Sequence, residues 1–371
     1  MCVIVVIGAG VVGASAAYHL AKAGADVTVI DRFDRGQATD AAAGIVCPWL
    51  SQRRNKAWYE LVKGGARHYP QLIKQLKADG ETETGYKQVG AISIHSDIEK
   101  LEKMAERART RREDAPEIGE IKILSPEETK KLFPPISEEY GSVYVSGGAR
   151  VNGRALRDAL IRAAQKNGAK FINGDASLVI DEDEIKGVKV NSMELEVEKV
   201  IITAGAWAKE LFQSHRINFD VTPQKAQIVH LEIEDETTND WPVVMPPNNQ
   251  YMLTFKDGKV VIGATHEDDV GFDTRVTAGG LNEIFSKALQ VAPGLSEATV
   301  VETRVGFRPF TPGFLPIIGE VPTIKGAFVV NGLGASGLTS GPYLGSEIAK
   351  LTLGEPLEID ISLYEVGNAF M

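Results

Sequence analysis

Apolar residues at the start of the chain come first as a continuous run and then at helical spacing. "VIVVIG" (Val3–Gly8) is β-branched throughout, the pattern of a strand buried on both faces of a parallel sheet. Ala14, Ala16 and Ala17 then begin a helix that continues through Leu20 and ends near Gly24. "ADVTVIDR" reads as a second strand closing on Asp31. Helical spacing returns in Val151–Lys170, with Leu156, Leu160 and Ala163/Ala164 on one face, and this helix leads to strands ending in "TAGAW". Asp97–Asp114 is charged apart from a narrow stripe of Leu101, Met104 and Ala108, which predicts a solvated helix. From Val221 to Arg304 the pattern alternates, with strands expected at "QIVHLEIE", "QYMLTF" and "KVVIGAT". A last strand, "GAFVVN", enters a glycine-rich turn. The helix after it is expected to start near Gly341–Pro342, with proline in its first turn, and to stop at Gly354.

Composition narrows what such a chain can do. At 371 residues it exceeds the usual size of one core, so two domains are expected. A formal charge of −10 argues against nucleic acid or an anionic membrane as a partner. No apolar run is long enough to span a bilayer, and the apolar start passes directly into a glycine motif, so neither a signal peptide nor a membrane helix is expected. The two cysteines, Cys2 and Cys47, suit a reducing cytoplasm and exclude a cysteine-rich metal site. Six histidines show no HxxxH or HxH spacing, so metal catalysis is not expected.

"GAGVVG" places Gly8, Gly10 and Gly13 at GxGxxG spacing between the first strand and helix. Gly8 permits the tight turn, Gly10 lets backbone amides approach a pyrophosphate, and Gly13 lets helix and strand pack closely. Asp31 stands where a carboxylate accepts ribose hydroxyls. This unit alone does not separate FAD from NAD; three later segments favour the flavin. In "RGQATDAAAGIVCPW" (Arg35–Trp49), Thr39 and Asp40 fit a helix cap, and Ala41–Gly44 offer bare backbone to a flat ring or a diphosphate; a small-residue packing helix is the alternative. "TAGAW" brings Gly205 to another close approach, although taken alone it is a buried strand and turn. The turn with Gly332, Gly334 and Gly337 aims a second helix N-terminus at a ligand, where it can hold the negative charge of a reduced flavin.

"VGFRPFTPGFLPIIG" (Val305–Gly319) sets Arg308 among apolar residues and prolines. A guanidinium there needs an anion or several carbonyls. Either a fixed glutamate, Glu302 or Glu320, supplies it, or a substrate carboxylate does.

These segments, in this order and over nearly the whole chain, resemble the D-amino-acid oxidase family, most closely its glycine oxidase, D-amino-acid dehydrogenase small-subunit and monomeric sarcosine oxidase branches. The resemblance implies an α/β (α+β) fold with a GR-type, Rossmann-like FAD-binding domain, discontinuous over 1–85, 146–220 and 305–371. Residues 86–145 and 221–304 would form a substrate domain with a mainly antiparallel sheet. Residue by residue, Gly8, Ala9, Gly10, Val12 and Gly13 match the phosphate loop, and Asp31 with Arg32 the adenosine ribose. Thr39, Ala42, Ala43, Gly44 and Ile45 match the flavin-facing segment, Ser177 the adenine contact, and Thr203, Ala204 and Gly205 the middle FAD contact. Gly332, Gly334, Ser336, Gly337 and Leu338 match the turn at the pyrimidine edge. Arg308 falls on the arginine that grips a substrate carboxylate beside the cofactor, and Tyr251 on a tyrosine lining that pocket.

Two departures refine this. Glycine oxidases carry a second cation in the final glycine turn, where this chain has Ala335 or Ser336, so a single-arginine clamp is implied. Sarcosine oxidases hold flavin through a cysteine near the arginine motif; neither cysteine lies there, which implies non-covalent FAD. His266 is either a surface residue beside Glu267 and Asp268 or a base. Cys47 is either a buried thiol or close to the ring, and Arg53 and Arg54 are either solvated or at the pocket mouth.

The implied reaction is oxidation of the Cα–N bond of a D-amino acid or small N-substituted amino acid by hydride transfer to flavin N5. The imine is hydrolysed to a 2-oxo acid and ammonia or an amine, with O2 or another electron acceptor as partner. A 2-hydroxyglutarate-type dehydrogenase with His266 as base, and a non-catalytic FAD-binding subunit, are the rival readings. A homo-oligomer is compatible with either.

Overall fold

The computed structural model describes residues 3–370, the side chain of Glu236 excepted. Its first sheet has six strands, in spatial order Ile317–Glu320, Ala327–Asn331, Lys199–Ile202, Val3–Ile7, Asp26–Asp31 and Lys170–Asn173. All neighbours are parallel except the edge strand Ile317–Glu320. The ends of the central strands therefore open on one side, at Ile7, Asp31, Ile202 and Asn331, where ligands of open parallel sheets are held. The β-branched runs that predicted these strands are buried on both faces: Val5, Val6, Val29, Ile201 and Val329 are fully enclosed.

Three helices pack over this sheet and one another: Val11–Lys22, Gly153–Lys166 and Gly337–Leu353. Asn152 caps Gly153–Lys166 by accepting from Ala155 N, and the expected face of Leu156, Leu160, Ala163 and Ala164 is buried. Gly337–Leu353 begins four residues earlier than expected, which leaves Pro342 inside the helix rather than in its first turn. Proline has no N–H for the carbonyl four residues back, that of Leu338. The buried Tyr69 hydroxyl donates to that carbonyl at 2.5 Å and satisfies it from a neighbouring helix. Gly354 ends the helix in the left-handed conformation, as its position predicted.

The second sheet has eight strands. Thr299–Phe310, Thr222–Glu232, Lys259–Gly263, Tyr251–Thr254 and Val243–Met245 continue into Ala91–His95, Gly141–Val145 and Ile121–Leu124. Only the junction of Val243–Met245 with Ala91–His95 is parallel. Thr299–Phe310 is an edge strand, which is why it tolerates Pro309. The charged segment forms helix Ile98–Arg112, capped by Asp97, with Leu101, Met104 and Ala108 buried as expected.

Two long helices lie outside the expected elements, Lys56–Ala78 and Ala278–Val291, as do the short ones Pro126–Leu132 and Ala208–Gln213. The first has an apolar face readable at helical spacing (Trp58, Leu61, Val62, Tyr69, Leu72, Ile73 and Leu76), interrupted by Gly64, Gly65 and Pro70.

Candidate functional site

An elongated cavity runs from the carboxyl ends of the parallel strands to the edge of the antiparallel sheet. One end is walled by Asp31, Arg32 and the Gly174–Ser177 turn. Asp31 is buried and accepts from Ala9 N at 2.5 Å and from Gln37 Nε2 at 2.9 Å, which fixes its carboxylate at the strand end. Arg32 turns to Asp34, Asp175 and Glu210, at 2.8, 3.2 and 2.8 Å, so its charge is spent on the protein.

The middle is formed by Gly8, Gly10 and Val11 at the N-terminus of the first helix, with Thr203, Ala204 and Gly205 opposite. Gly8 has φ +101°, and a Cβ at Gly13 would lie 1.9 Å from the Gly8 carbonyl oxygen, so the strand–helix turn needs both glycines. Thr39 does not cap its own short helix, Ala38–Ala41, whose N-cap is Gln37. Its Oγ1 instead accepts from Val11 N at 3.0 Å and caps the first helix through space. Asp40 is no cap either: it pairs with Arg157.

At the far end Ala42, Ala43, Gly44 and Ile45 face Gly334, Ala335, Gly337 and Leu338, and beyond them stand Tyr251 and Arg308. Arg308 Nη1 donates to Gln224 Oε1 at 3.0 Å and to the Thr265 carbonyl at 3.3 Å. Burial lowers the Arg308 pKa from its ordinary value, with the neighbouring Tyr251 opposing. Burial raises the Tyr251 phenol, and the Arg308 charge pulls it back only in part.

Neither expected glutamate is its partner. Glu302 pairs with Arg304 at 2.7 Å and Arg154 at 3.6 Å, while Glu320 accepts from Gly326 N. Among the described residues, no carboxylate forms an ion pair with Arg308.

Five residues carried over by resemblance are not on this wall, and neither is His266. Ala9 is buried behind it as the donor to Asp31, and Val12 and Gly13 lie on the helix behind the turn. Gly332 backs onto Thr311, and Ser336 accepts from Trp58 Nε1 at 2.8 Å. His266 is exposed, its Nδ1 3.4 Å from Asn249 Nδ2, and burial of part of its ring, with Arg308 nearby, lowers its pKa. Cys47 is off the wall too; it is buried, and desolvation pushes its thiol up to about 12.

The model of one protein family, described as FAD dependent oxidoreductase (DAO), matches residues 4–351. The chain belongs to the DAO family. It is 61% identical to the uncharacterised oxidoreductase YurR of Bacillus subtilis (strain 168), over 98% of each chain. This DAO protein is also similar to the crystal structure of iminodiacetate oxidase (IdaA) from Chelativorans sp. BNC1, with 44% identity, a TM-score of 0.95 and 98% of each chain covered. Glycine oxidase from Geobacillus kaustophilus shares 25% identity at a TM-score of 0.86, over 99% of each chain.

The cavity fits the family's FAD. A fixed carboxylate stands at one end, a capped helix N-terminus at the middle, and side-chain-poor backbone at Ala42–Gly44 lies opposite a second helix N-terminus. The DAO protein is an FAD-dependent oxidoreductase.

Gln224 and Trp207 also belong to the site without having been expected there. Trp207 lines the cavity, stacks on Phe272 and meets Phe307 edge-on. Its signal was the "TAGAW" segment itself. Gln224 had none, because it reaches Arg308 only through the pairing of two distant strands.

Proposed function

We propose that this protein oxidises the C–N bond of a small amine bearing a carboxylate, and that N-carboxymethyl amines of the iminodiacetate kind are its preferred substrates. The observation that carries the proposal is Arg308: a guanidinium on the cavity wall, held by the neutral Gln224 and the Thr265 carbonyl, with no carboxylate partner among the described residues. A substrate carboxylate completes that site, each charge-assisted hydrogen bond contributing about 1.5–3 kcal/mol. The likeness to iminodiacetate oxidase supports the choice of amine. So does the bare turn: the resemblance to glycine oxidases implies a second cation where this chain has Ala335 or Ser336, and Ala335 lines the cavity, leaving room beside a single-arginine grip.

Non-covalent FAD, when bound, would supply the acceptor for a hydride from the substrate carbon. The chain's residues orient that carbon: Arg308 fixes the carboxylate, and Tyr251 closes the pocket beside it. The amine supplies its own lone pair, so no side-chain base is required. The C=N bond that forms is hydrolysed to an oxo acid and the released amine, and the two electrons pass to O2 or another acceptor. A hydroxy-acid substrate would call on His266, which is exposed and off the wall.

Anaerobic addition of iminodiacetate, glycine, sarcosine, D-alanine and 2-hydroxyglutarate, followed through the flavin's visible band, tests the proposal. Bleaching is expected with the amines, fastest with iminodiacetate. Bleaching by 2-hydroxyglutarate alone, or by none of them, would sink it.

A further inference from the structure

A second pocket, about 350 Å³ in volume, lies between the Gln52–Lys56 loop and the helix Ile98–Arg112. Its walls carry Arg53, Arg54, Lys56, Arg107 and Arg111, against one carboxylate, Glu60, which is already paired with Lys63 at 2.7 Å. Among the described residues none of the five cations makes an ion pair, in a protein whose net charge is −10. Two of them do fix structure. Arg111 Nη1 donates to the Trp49 and Ser51 carbonyls at 2.6 and 2.7 Å, and its guanidinium lies over the Tyr59 ring. Arg53 donates to the Phe314 carbonyl and lies over Trp58. Lys56 opens the helix Lys56–Ala78, whose first turn has no acidic residue to offset its positive end.

Arginines at the C-terminal end of Ile98–Arg112 would be unremarkable as partners of that helix dipole. Two buried polar atoms on residues that line the pocket are not explained that way. Arg107 Nε and the Tyr59 hydroxyl are both enclosed and without a hydrogen-bond partner. Burial also pulls the pKa of Arg53 and Arg111 below the ordinary value, with no anion to reverse it. Like charges gathered in a concave site, with donors left over, are stabilised by an anion that several of them share.

We infer that this pocket is a second anion site, separate from the Arg308 cavity, and that it takes a small polycarboxylate. Five cations match two or three carboxylates, and a concave pocket of this size admits a molecule rather than a polymer backbone. The site does not depend on the reaction proposed above. The pocket connects to the flavin-facing half of the molecule through Arg111, which holds Trp49, and through Arg53, which lies over Trp58, the donor to Ser336 in the final glycine turn.

Citrate is the probe, titrated calorimetrically into the holoenzyme at constant ionic strength, with acetate as control. Arg54→Gln/Arg107→Gln removes two cations that hold no other residue, and flavin content checks its fold; Arg308→Gln marks the cavity. We expect citrate to bind the wild type and Arg308→Gln alike and the double variant at least about tenfold more weakly, with acetate binding none of them measurably. Failure of citrate to bind the wild type overturns the inference. So does equal affinity in the double variant, or loss of binding in Arg308→Gln.

Discussion

Gln224 and Arg308 stand directly opposite each other on antiparallel strands, and the side-chain oxygen Oε1 of Gln224 accepts from Arg308 Nη1 at 3.0 Å. The Gln224 side-chain nitrogen Nε2 donates to Asp268 at 2.9 Å, which fixes which end of the side-chain amide meets the arginine. The guanidinium is thus oriented without being neutralised. Gln224→Glu would place a permanent anion in the substrate's place. KM for a carboxylate-bearing amine is expected to rise at least about tenfold, with kcat much less affected, since one charged hydrogen bond is at stake. Steady-state kinetics decides; an unchanged KM would mean that Arg308 does not meet the carboxylate.

Arg308→Ala removes the grip itself. Losing one member of a desolvated charge pair costs about 2–5 kcal/mol, so kcat/KM should fall by about 30-fold to several thousandfold. FAD content should hold, because the phosphate turn and Asp31 hold the cofactor away from Arg308, at the middle and the opposite end of the cavity. Activity within twofold of wild type would exclude the clamp.

Thr39→Val keeps the side chain's shape and deletes the acceptor of Val11 N. Loss of a cap costs about 1 kcal/mol, a fall of a few degrees in Tm. FAD affinity should weaken as well, because the uncapped turn is the one that faces the cofactor. A melting curve and a flavin titration check both effects.

Tyr69→Phe leaves the Leu338 carbonyl unpartnered inside the molecule, a cost of about 1–3 kcal/mol. Adding Pro342→Ala restores an N–H four residues on, and the double variant should recover part of the lost Tm. If Tyr69→Phe melts like the wild type, the hydroxyl is not satisfying that carbonyl.

Acid stability should be limited by His19 and His68. Their rings are 5.9 Å apart, and the Nε2 atom of each is buried without a partner. Desolvation, first, and nearby positive charge hold His19 at about 3 and His68 at about 4, against an ordinary 6.5; Glu358 opposes at His68. The unfolded chain therefore binds more protons than the native one below about 6.5, and stability falls as pH drops from there toward 4. Above about 6.5 the pair is neutral in both states and makes no difference. His19→Asn/His68→Gln should flatten the dependence of Tm on pH between about 6.5 and 4; an unchanged slope would place the acid lability elsewhere.

Local chemistry made the βαβ start, its glycines and the strand-ending Asp31 readable directly, because strand burial, helix spacing and turn geometry are decided within a few residues. The same holds for the alternating strands after Val221 and the charged helix capped by Asp97. Other features were settled only by the folded chain. Thr39 caps a helix 28 residues away, Tyr69 satisfies a carbonyl left free by Pro342, and Gln224 meets Arg308 across a strand pair. Each joins groups from distant segments, and sequence spacing carries no record of which buried donor will reach which acceptor. The question of what Arg308 faces belongs to this second kind. The sequence allowed a glutamate or a substrate; in the fold, Glu302 and Glu320 are engaged elsewhere, and the guanidinium lies on the cavity wall.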